Sequence, residues 1–303
     1  MHLIALLIGL FIERLATQWF RWRRMRWLDR IVDLGFRQAE RVANWPSIIP
    51  VILLVLVLVL PVFGVIFSLG STLYGLADLL LAIVVLLFSL GPRDIGEEID
   101  EYCRALESED QEQIQHATKA IVEGDVPDDE RERIDRVEEA VCIQANNRLF
   151  AIVFWFVVLG PLAAWTYRVT DLIRRRAVFT AARDEEGAGN AERIRDAAVM
   201  IHGWFAWIPA RLTAVGYATA GNFDEAFAAL RAPSAERDAS TSEHSEHLLA
   251  RVGLAALSIQ DKPDETATER GIRGATAAKR LVFRLLLIWA VIISAMTLYG
   301  LTR

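Results

Sequence analysis

The sequence predicts an all-α, polytopic helical membrane protein, with a small cytoplasmic helical subdomain and interfacial amphipathic helices. Three observations carry that prediction. Val51 to Leu60 reads Val-Ile-Leu-Leu-Val-Leu-Val-Leu-Val-Leu without interruption. Leu149 to Tyr167 contains no charged side chain, close to the ~20 apolar residues that a crossing helix needs. Long charge-free blocks also alternate with densely charged ones. The chain is 53% hydrophobic over 303 residues. Soluble chains average roughly 45–50%, so it is the distribution that decides the class.

The formal net charge of −6 gives no reason to expect a nucleic-acid partner. Cys103 and Cys142 are the two cysteines. They are far apart and show neither metal-ligand spacing nor a disulfide framework.

A first region, residues 1–92, holds crossing helices at about 2–20, 48–69 and 72–90. In the first of these the arginines follow the apolar run and no cleavage site is evident, unlike a signal peptide. The excess of arginine after it places the amino terminus outside and residues 21–45 in the cytoplasm, with Trp19, Trp22 and Trp27 at the interface. Glu13 is an intramembrane carboxylate. It either marks a functional site or lies near the interface beside Arg14 or Arg21. Residues 21–45 carry seven arginines, with Trp27, Leu28, Ile31, Val32 and Leu34 at helical spacing, and read as an amphipathic helix on the inner leaflet. Pro46 and Pro50 start the 48–69 helix, and Pro61 with Gly64 is placed to kink it. The returning helix carries Asp78, either exposed at the outer interface or paired with an arginine of another helix.

Residues 93–147 form the acidic cytoplasmic segment. Ile95, Ile99, Tyr102 and Leu106, then Ile114, Ala117 and Ile121, then Ile134, Val137 and Val141 recur at helical spacing and predict three helices. The acids between them read as solvated faces, with a Mg²⁺ site as the alternative. This block is also a candidate surface for a soluble partner.

Residues 148–222 form the membrane core. Gly160-Pro161 interrupts its apolar run, and such a defect persists in a membrane only where protein or water satisfies the freed backbone. A crossing at 149–169 would put the next loop outside, whereas Arg174-Arg175-Arg176 favours the cytoplasm. A hairpin bent at Gly160-Pro161 would reconcile the two. Ala197–Thr219 is apolar except for His202 and Arg211, and Pro209 makes it either a broken crossing or an interfacial helix. Residues 223–280 contain two short amphipathic helices, Phe223–Leu230 and His247–Ile259, around a polar, disordered-looking stretch at 233–246. His244 and His247 are three apart, with no third ligand nearby except Glu243 or Glu246, so no metal is expected. Residues 281–303 supply the last crossing, with Lys279, Arg280 and Arg284 on its cytoplasmic flank.

No phosphate-binding loop, Ser–His–Asp arrangement, metalloprotease helix or Cys-x-x-Cys pair occurs, and no cofactor is expected. Two stretches go further. Arg136–Trp155 continuing to Gly160-Pro-Leu-Ala-Ala-Trp-Thr-Tyr-Arg-Val169, and Trp207-Ile-Pro-Ala-Arg-Leu-Thr-Ala214, resemble the CobD/CbiB-type membrane proteins of cobalamin biosynthesis. Phe11-Ile-Glu-Arg-Leu15 and the Asn146-Asn-Arg-Leu149 entry make the chain most similar to the AmpE branch.

The cobalamin branch implies ATP-dependent amide synthesis, which needs acidic ligands for Mg²⁺. In this chain the family's acid-Asn pair and Asp before the Phe-Trp segment fall on Ile143, Gln144 and Asn147, its Asp pair before the Ile-Pro-Ala-Arg motif on His202 and Gly203, its Asn on Ala206, and its upstream Gly-Arg-Asp element on Glu123-Gly124-Asp125. The AmpE resemblance instead implies a non-catalytic regulatory protein of the bacterial inner (plasma) membrane, tied to β-lactamase induction and cell-wall recycling. The expected ligand surface combines Glu139, Asn146, Asn147, Arg168, His202 and Arg211. There the two arginines would clamp an anionic cell-wall fragment or lipid headgroup. The structural alternative has Arg211 capping carbonyls freed by Pro209 and Arg168 reaching for the interface.

Overall fold

A computed structural model describes residues 26–41, 46–70, 76–90, 94–183, 190–233 and 240–299. Glu13 and the 2–20 segment lie outside the described residues. Every regular element is helical among those described. They are α1 (Arg26–Arg41), α2 (Ile48–Gly70), α3 (Leu76–Leu90), α4 (Ile95–Ser108), α5 (Gln111–Ile121) and α6 (Glu130–Ala145). A π-helical turn, Asn146–Phe150, leads into α7 (Ala151–Leu159), followed by α8 (Pro161–Ala181), α9 (Asn190–Ala220), α10 (Phe223–Arg231), α11 (Thr241–Leu257) and α12 (Ala267–Leu298). Asp78 lies on α3, but its side chain is outside the described set. Four stretches are long and apolar enough to cross a membrane: Ile48–Ser68, Leu79–Ser108, Glu130–Leu159 and Ala267–Leu298.

Much of the acidity of the 93–147 block serves helix starts. Asp94, Asp110 and Asp129 are the N-caps of α4, α5 and α6, each accepting from backbone N–H groups of the first turn. Such caps satisfy donors that a helix cannot pair internally. α11 and α12 begin with full capping boxes, Ser240 with Glu243 and Thr266 with Glu269.

The Gly160-Pro161 break is a hairpin. Gly160 adopts φ 88°, in the region that favours glycine, and Pro161 then starts α8 at a position where its missing N–H costs nothing. Tyr167 and Asn147 are 20 residues apart, yet the Tyr167 hydroxyl lies 3.4 Å from Asn147 Oδ1. A continuous helix would separate them by ~30 Å. The apolar arm Leu149–Leu159 is only ~16 Å long, about half of a ~30 Å hydrocarbon core. Its tip, Val158 and Leu159, is exposed. α7 and α8 therefore form a hairpin, and the charged ends of both arms return to the same end of it. This is the hairpin that reconciles a basic patch at Arg174–Arg176 with the apolar run before it.

Three clusters of buried side chains make the core. One joins α4, α5, α6, α10, α11 and α12; its members include Ile99, Tyr102, Ile114, Val141, Tyr217, Val252 and Leu285. A second joins α1, α2, α8 and the start of α9 through Leu28, Val32, Phe36, Leu54, Val169 and Ile201. The apolar face of α1 is thus turned onto protein, because α2, α8 and α9 offer it apolar surface. A third joins α3, α7 and α8 through Leu86, Ile152, Phe156 and Tyr167. α9 contributes to all three, with Ile201, Ala206 and Ala210. Outside them α2 exposes Leu53, Val57, Leu60 and Phe67, and α12 exposes Leu287, Val291 and Ile292. Apolar surface of that extent suits lipid rather than water.

Candidate functional site

The base of the hairpin is a buried assembly of charges. Arg168, Asp171, Arg174 and Arg175 recur on α8 at spacings that share one helix face. Asp171 is fully buried and pairs with three arginines, accepting hydrogen bonds from Arg168 and Arg174. Arg168 Nη1 lies 3.1 Å from its Oδ2, Arg174 Nη2 3.1 Å from its Oδ1 and Arg175 Nε 2.9 Å from its Oδ2. Glu123, just past the end of α5, takes Arg174 at 2.8 Å and Arg175 at 3.2 Å. Gln144 of α6 accepts from Arg175 at 2.7 Å and from Arg148 at 3.0 Å, and Arg148 reaches Glu98 of α4 at 2.5 Å. Glu246 of α11 is the loosest member, 3.7 Å from Arg174.

Arg148, Arg168, Arg174 and Arg175 thus face Glu98, Glu123, Asp171 and Glu246, an equal number of opposite charges. Neutralising charge inside the protein requires that balance, because an unpaired buried ion costs several kcal/mol. Burial by itself would raise the carboxyl of Glu123, but Arg174 and Arg175 reverse this and hold it down at about 2. Burial likewise opposes ionisation of Asp171, yet Arg175 and Arg174 keep it far below the ordinary carboxylate range. His202 of α9 has the opposite fate. Burial and the charge of Arg174 push it down to about 3, so it is neutral at physiological pH. Its ring packs on Tyr167 with centroids 5.2 Å apart.

The structure brings four of the expected site residues together. Arg168 and His202 belong to the charge assembly. Asn146 and Asn147 lie beside it in the π-helical turn, with Asn146 accepting from Thr213 at 3.0 Å and donating to Asn147 at 3.0 Å. Buried donors at Asn147 Nδ2, Arg168 Nε and Arg174 Nε have no hydrogen-bond partner among the described residues, nor does His202 Nδ1.

The other two expected members lie elsewhere. Glu139 pairs with Arg136 at 3.0 Å, beside an open hollow of about 760 Å³ lined also by Asp125, Glu132 and Asp135. Arg211 is on the outer face of α9, its guanidinium 4.0 Å from the Trp207 ring and donating to the Trp207 carbonyl at 3.0 Å. The clamp of Arg168 with Arg211 is therefore not formed. Arg168 is consumed inside by Asp171, and burial keeps it from the interface. Pro209 frees the carbonyl of Phe205 rather than one that Arg211 reaches, and the Trp155 indole takes it at 3.1 Å.

Asp171, Arg174, Arg175, Glu123, Gln144 and Glu246 form most of the assembly and were not among the expected site residues. The signal was present in the arginine and aspartate spacing of residues 168–175. It was obscured because Asp171 reads as the polar end of a crossing helix and Arg174–Arg176 as a surface patch. His244 turns Nδ1 to its own helix start, 3.0 Å from the Ser240 carbonyl.

A family model described as "Regulatory signalling modulator protein AmpE" matches residues 1–302. Among curated proteins, "Cobalamin biosynthesis protein CobD" of Stutzerimonas stutzeri (strain A1501) is 31% identical over 140 residues. That alignment covers 46% of this chain and 44% of the relative, so the chain spans less than half the length of the curated protein it matches. No solved structure matches.

Proposed function

The chain belongs to the AmpE family, and from that premise we propose that it is a multi-pass inner-membrane signalling protein that acts in β-lactamase induction and cell-wall recycling through binding rather than catalysis. One observation carries the reading. Of the positions where the resemblance to the cobalamin relatives implies acids, His202 and Glu123 lie at the Asp171 assembly; a histidine stands at the first, and the carboxylate at the second is taken up by arginines. Gln144 and His202 stand in contact with it, and Glu123 is held by Arg174 and Arg175. At Gly203 even a Cβ would come 2.9 Å from the Ser242 backbone nitrogen, so a carboxylate there would require α9 and α11 to part. A Mg²⁺-nucleotide site needs carboxylates free to ligate. Each carboxylate in this assembly faces at least one arginine.

An assembly of this kind suits a relay. It ties the hairpin to α4, the end of α5, α6 and α11, so displacement of one part is felt by the other through ion pairs. The signal recognised is an anionic cell-wall fragment or lipid headgroup, or a soluble partner of the 93–147 segment. The experiment is deletion of the gene followed by β-lactam challenge. Altered β-lactamase induction, restored by the wild-type gene and not by Asp171→Asn expressed to the same level, is the expected result. Unchanged induction on deletion would sink the signalling reading.

A second reading is favoured by the 31% identity to the CobD protein: an ATP-dependent amide-forming synthase of cobalamin biosynthesis. Purified protein given ATP, Mg²⁺ and adenosylcobyric acid with an amino-alcohol would then yield an amide. No product is expected.

A further inference from the structure

The arginines of the buried assembly are matched by carboxylates. Arg211 on α9 and Arg280 and Arg284 on α12 have no carboxylate partner among the described residues, although each is at least partly exposed.

Their depth follows from the packing of α9. Phe205 meets Trp155, four residues from the hairpin tip; Thr213 meets Asn146 at the hairpin base; and Tyr217 donates to the carbonyl of Cys142 on the acidic α6. α9 thus has charged neighbours at His202 and at Tyr217 and meets the apolar arm of the hairpin around Phe205, and Arg211 lies between Phe205 and the hairpin base. Gly216 packs on Leu285, next to Arg284, which puts the basic flank of α12 at the same level. Around Arg211 the outer face of α9 is apolar and exposed: Trp204 56%, Trp207 45%, Ile208 43%, Leu212 45% and Val215 48%.

We propose that Arg211 binds the phosphate of an anionic phospholipid at the cytoplasmic interface, with the α9 face of Trp204, Ile208, Leu212 and Val215 lying against the acyl chains. An unpaired cation among exposed apolar side chains is suited to an amphiphile that supplies both a negative headgroup and a hydrocarbon body. Stacking on Trp207 fixes the guanidinium plane and leaves its edge to bond phosphate oxygens, an arrangement that a lysine ammonium does not reproduce. Indoles are at home at that depth. The inference rests on the membrane reading and does not depend on the signalling role.

The test uses the full-length protein purified in detergent and reconstituted in phosphatidylcholine nanodiscs, with and without phosphatidylglycerol, read by thermal unfolding. Phosphatidylglycerol is expected to raise the midpoint of the wild type. Arg211→Gln should lose most of that rise while keeping its midpoint in phosphatidylcholine alone. Trp207→Leu, which keeps the charge but removes the stacking surface, should lose part of the rise and preserves the test if Arg211→Gln does not fold. Arg195→Gln, whose arginine pairs with Asp196 on the same helix, should keep it all. Equal rises in the wild type and both Arg211→Gln and Trp207→Leu would overturn the proposal. So would an equal rise from inorganic phosphate, which would make the ligand a free anion. A dimer that falls apart in Arg211→Gln would assign the face to a second copy and likewise overturn it.

Discussion

The indole N–H of Trp155 donates to the carbonyl of Phe205 at 3.1 Å, across two helices and 50 residues of sequence. That carbonyl is the one that Pro209 strips of its helical partner, since proline at 209 has no N–H to return. In an apolar surrounding a freed carbonyl must find a donor. The hairpin supplies it. Trp155→Phe should therefore destabilise the protein by about 1–3 kcal/mol, the range for an orphaned buried acceptor. In a Pro209→Ala background the alanine N–H restores the helical bond, and the cost of Trp155→Phe should shrink to its loss of packing. A double-mutant cycle on unfolding in detergent measures the difference. Additive costs would mean that the hydrogen bond contributes nothing.

Asp171 holds three guanidinium groups with no exposure to water. Asp171→Asn keeps the volume and removes the charge, leaving Arg168, Arg174 and Arg175 to face one another. Breaking a buried charge assembly in this way typically costs ~3–5 kcal/mol. Asp196→Asn, on the exposed side of α9, should cost no more than about 0.5 kcal/mol. Chemical denaturation of the two variants decides the matter. Near-equal midpoints would show that the assembly is solvated and slack.

What could be read from the sequence follows from the kind of signal each element carries. The uninterrupted aliphatic run of α2 announces itself, and the apolar periodicity of α4, α5 and α6 did the same. α12 was recognised only from Leu281 onward, although it starts at Ala267. Its first half buries Gly271, Gly274, Ala275 and Ala278, small residues that let helices approach but carry little hydropathy. The start of α11 reads as a polar stretch. Ser240-Thr-Ser-Glu243 is nevertheless a capping-box pattern, and the box is formed. The resemblance to the AmpE family, drawn from scattered motif residues, is confirmed by a match across the chain. The charge assembly was the hardest to see. Its members are scattered along the chain, and sequence spacing can relate only those on α8 and the Gln144–Arg148 pair. Pairings such as Arg175 with Gln144, 31 residues apart, depend on the bend at Gly160.

That bend makes a prediction about sidedness. With Cys103 and Cys142 replaced by alanine, single cysteines at Asp135→Cys and Ala182→Cys should react with a membrane-impermeant maleimide from the same side. Both positions are exposed, at the outer ends of the two hairpin arms. Leu159→Cys, at the tip, should be shielded from the reagent on either side, because the apolar arms carry it into the hydrocarbon. Labelling of residues 135 and 182 from opposite faces would restore a single crossing and remove the basis of the charge assembly.

His202 gives the structure a pH dependence with a defined sign. An ordinary histidine has a pKa near 6.5. In the fold burial and then Arg174 lower it to about 3. Above pH ~6.5 both folded and unfolded states hold it neutral, and it contributes no pH dependence. As pH falls below that value the unfolded chain takes up a proton that the folded protein refuses, so stability declines continuously toward pH 3. The depressed carboxylates of Glu123 and Asp171 add loss of the same sign, but only once pH drops near the unfolded carboxylate value of ~4. Between pH 6.5 and 5 the histidine acts with little help from them. His202→Asn cannot titrate, so the slope of unfolding free energy against pH in that window should flatten relative to wild type, whatever its absolute stability. A slope left unchanged by His202→Asn would mean that the imidazole is charged in the folded state, and the equality of opposite charges at the hairpin base would not hold.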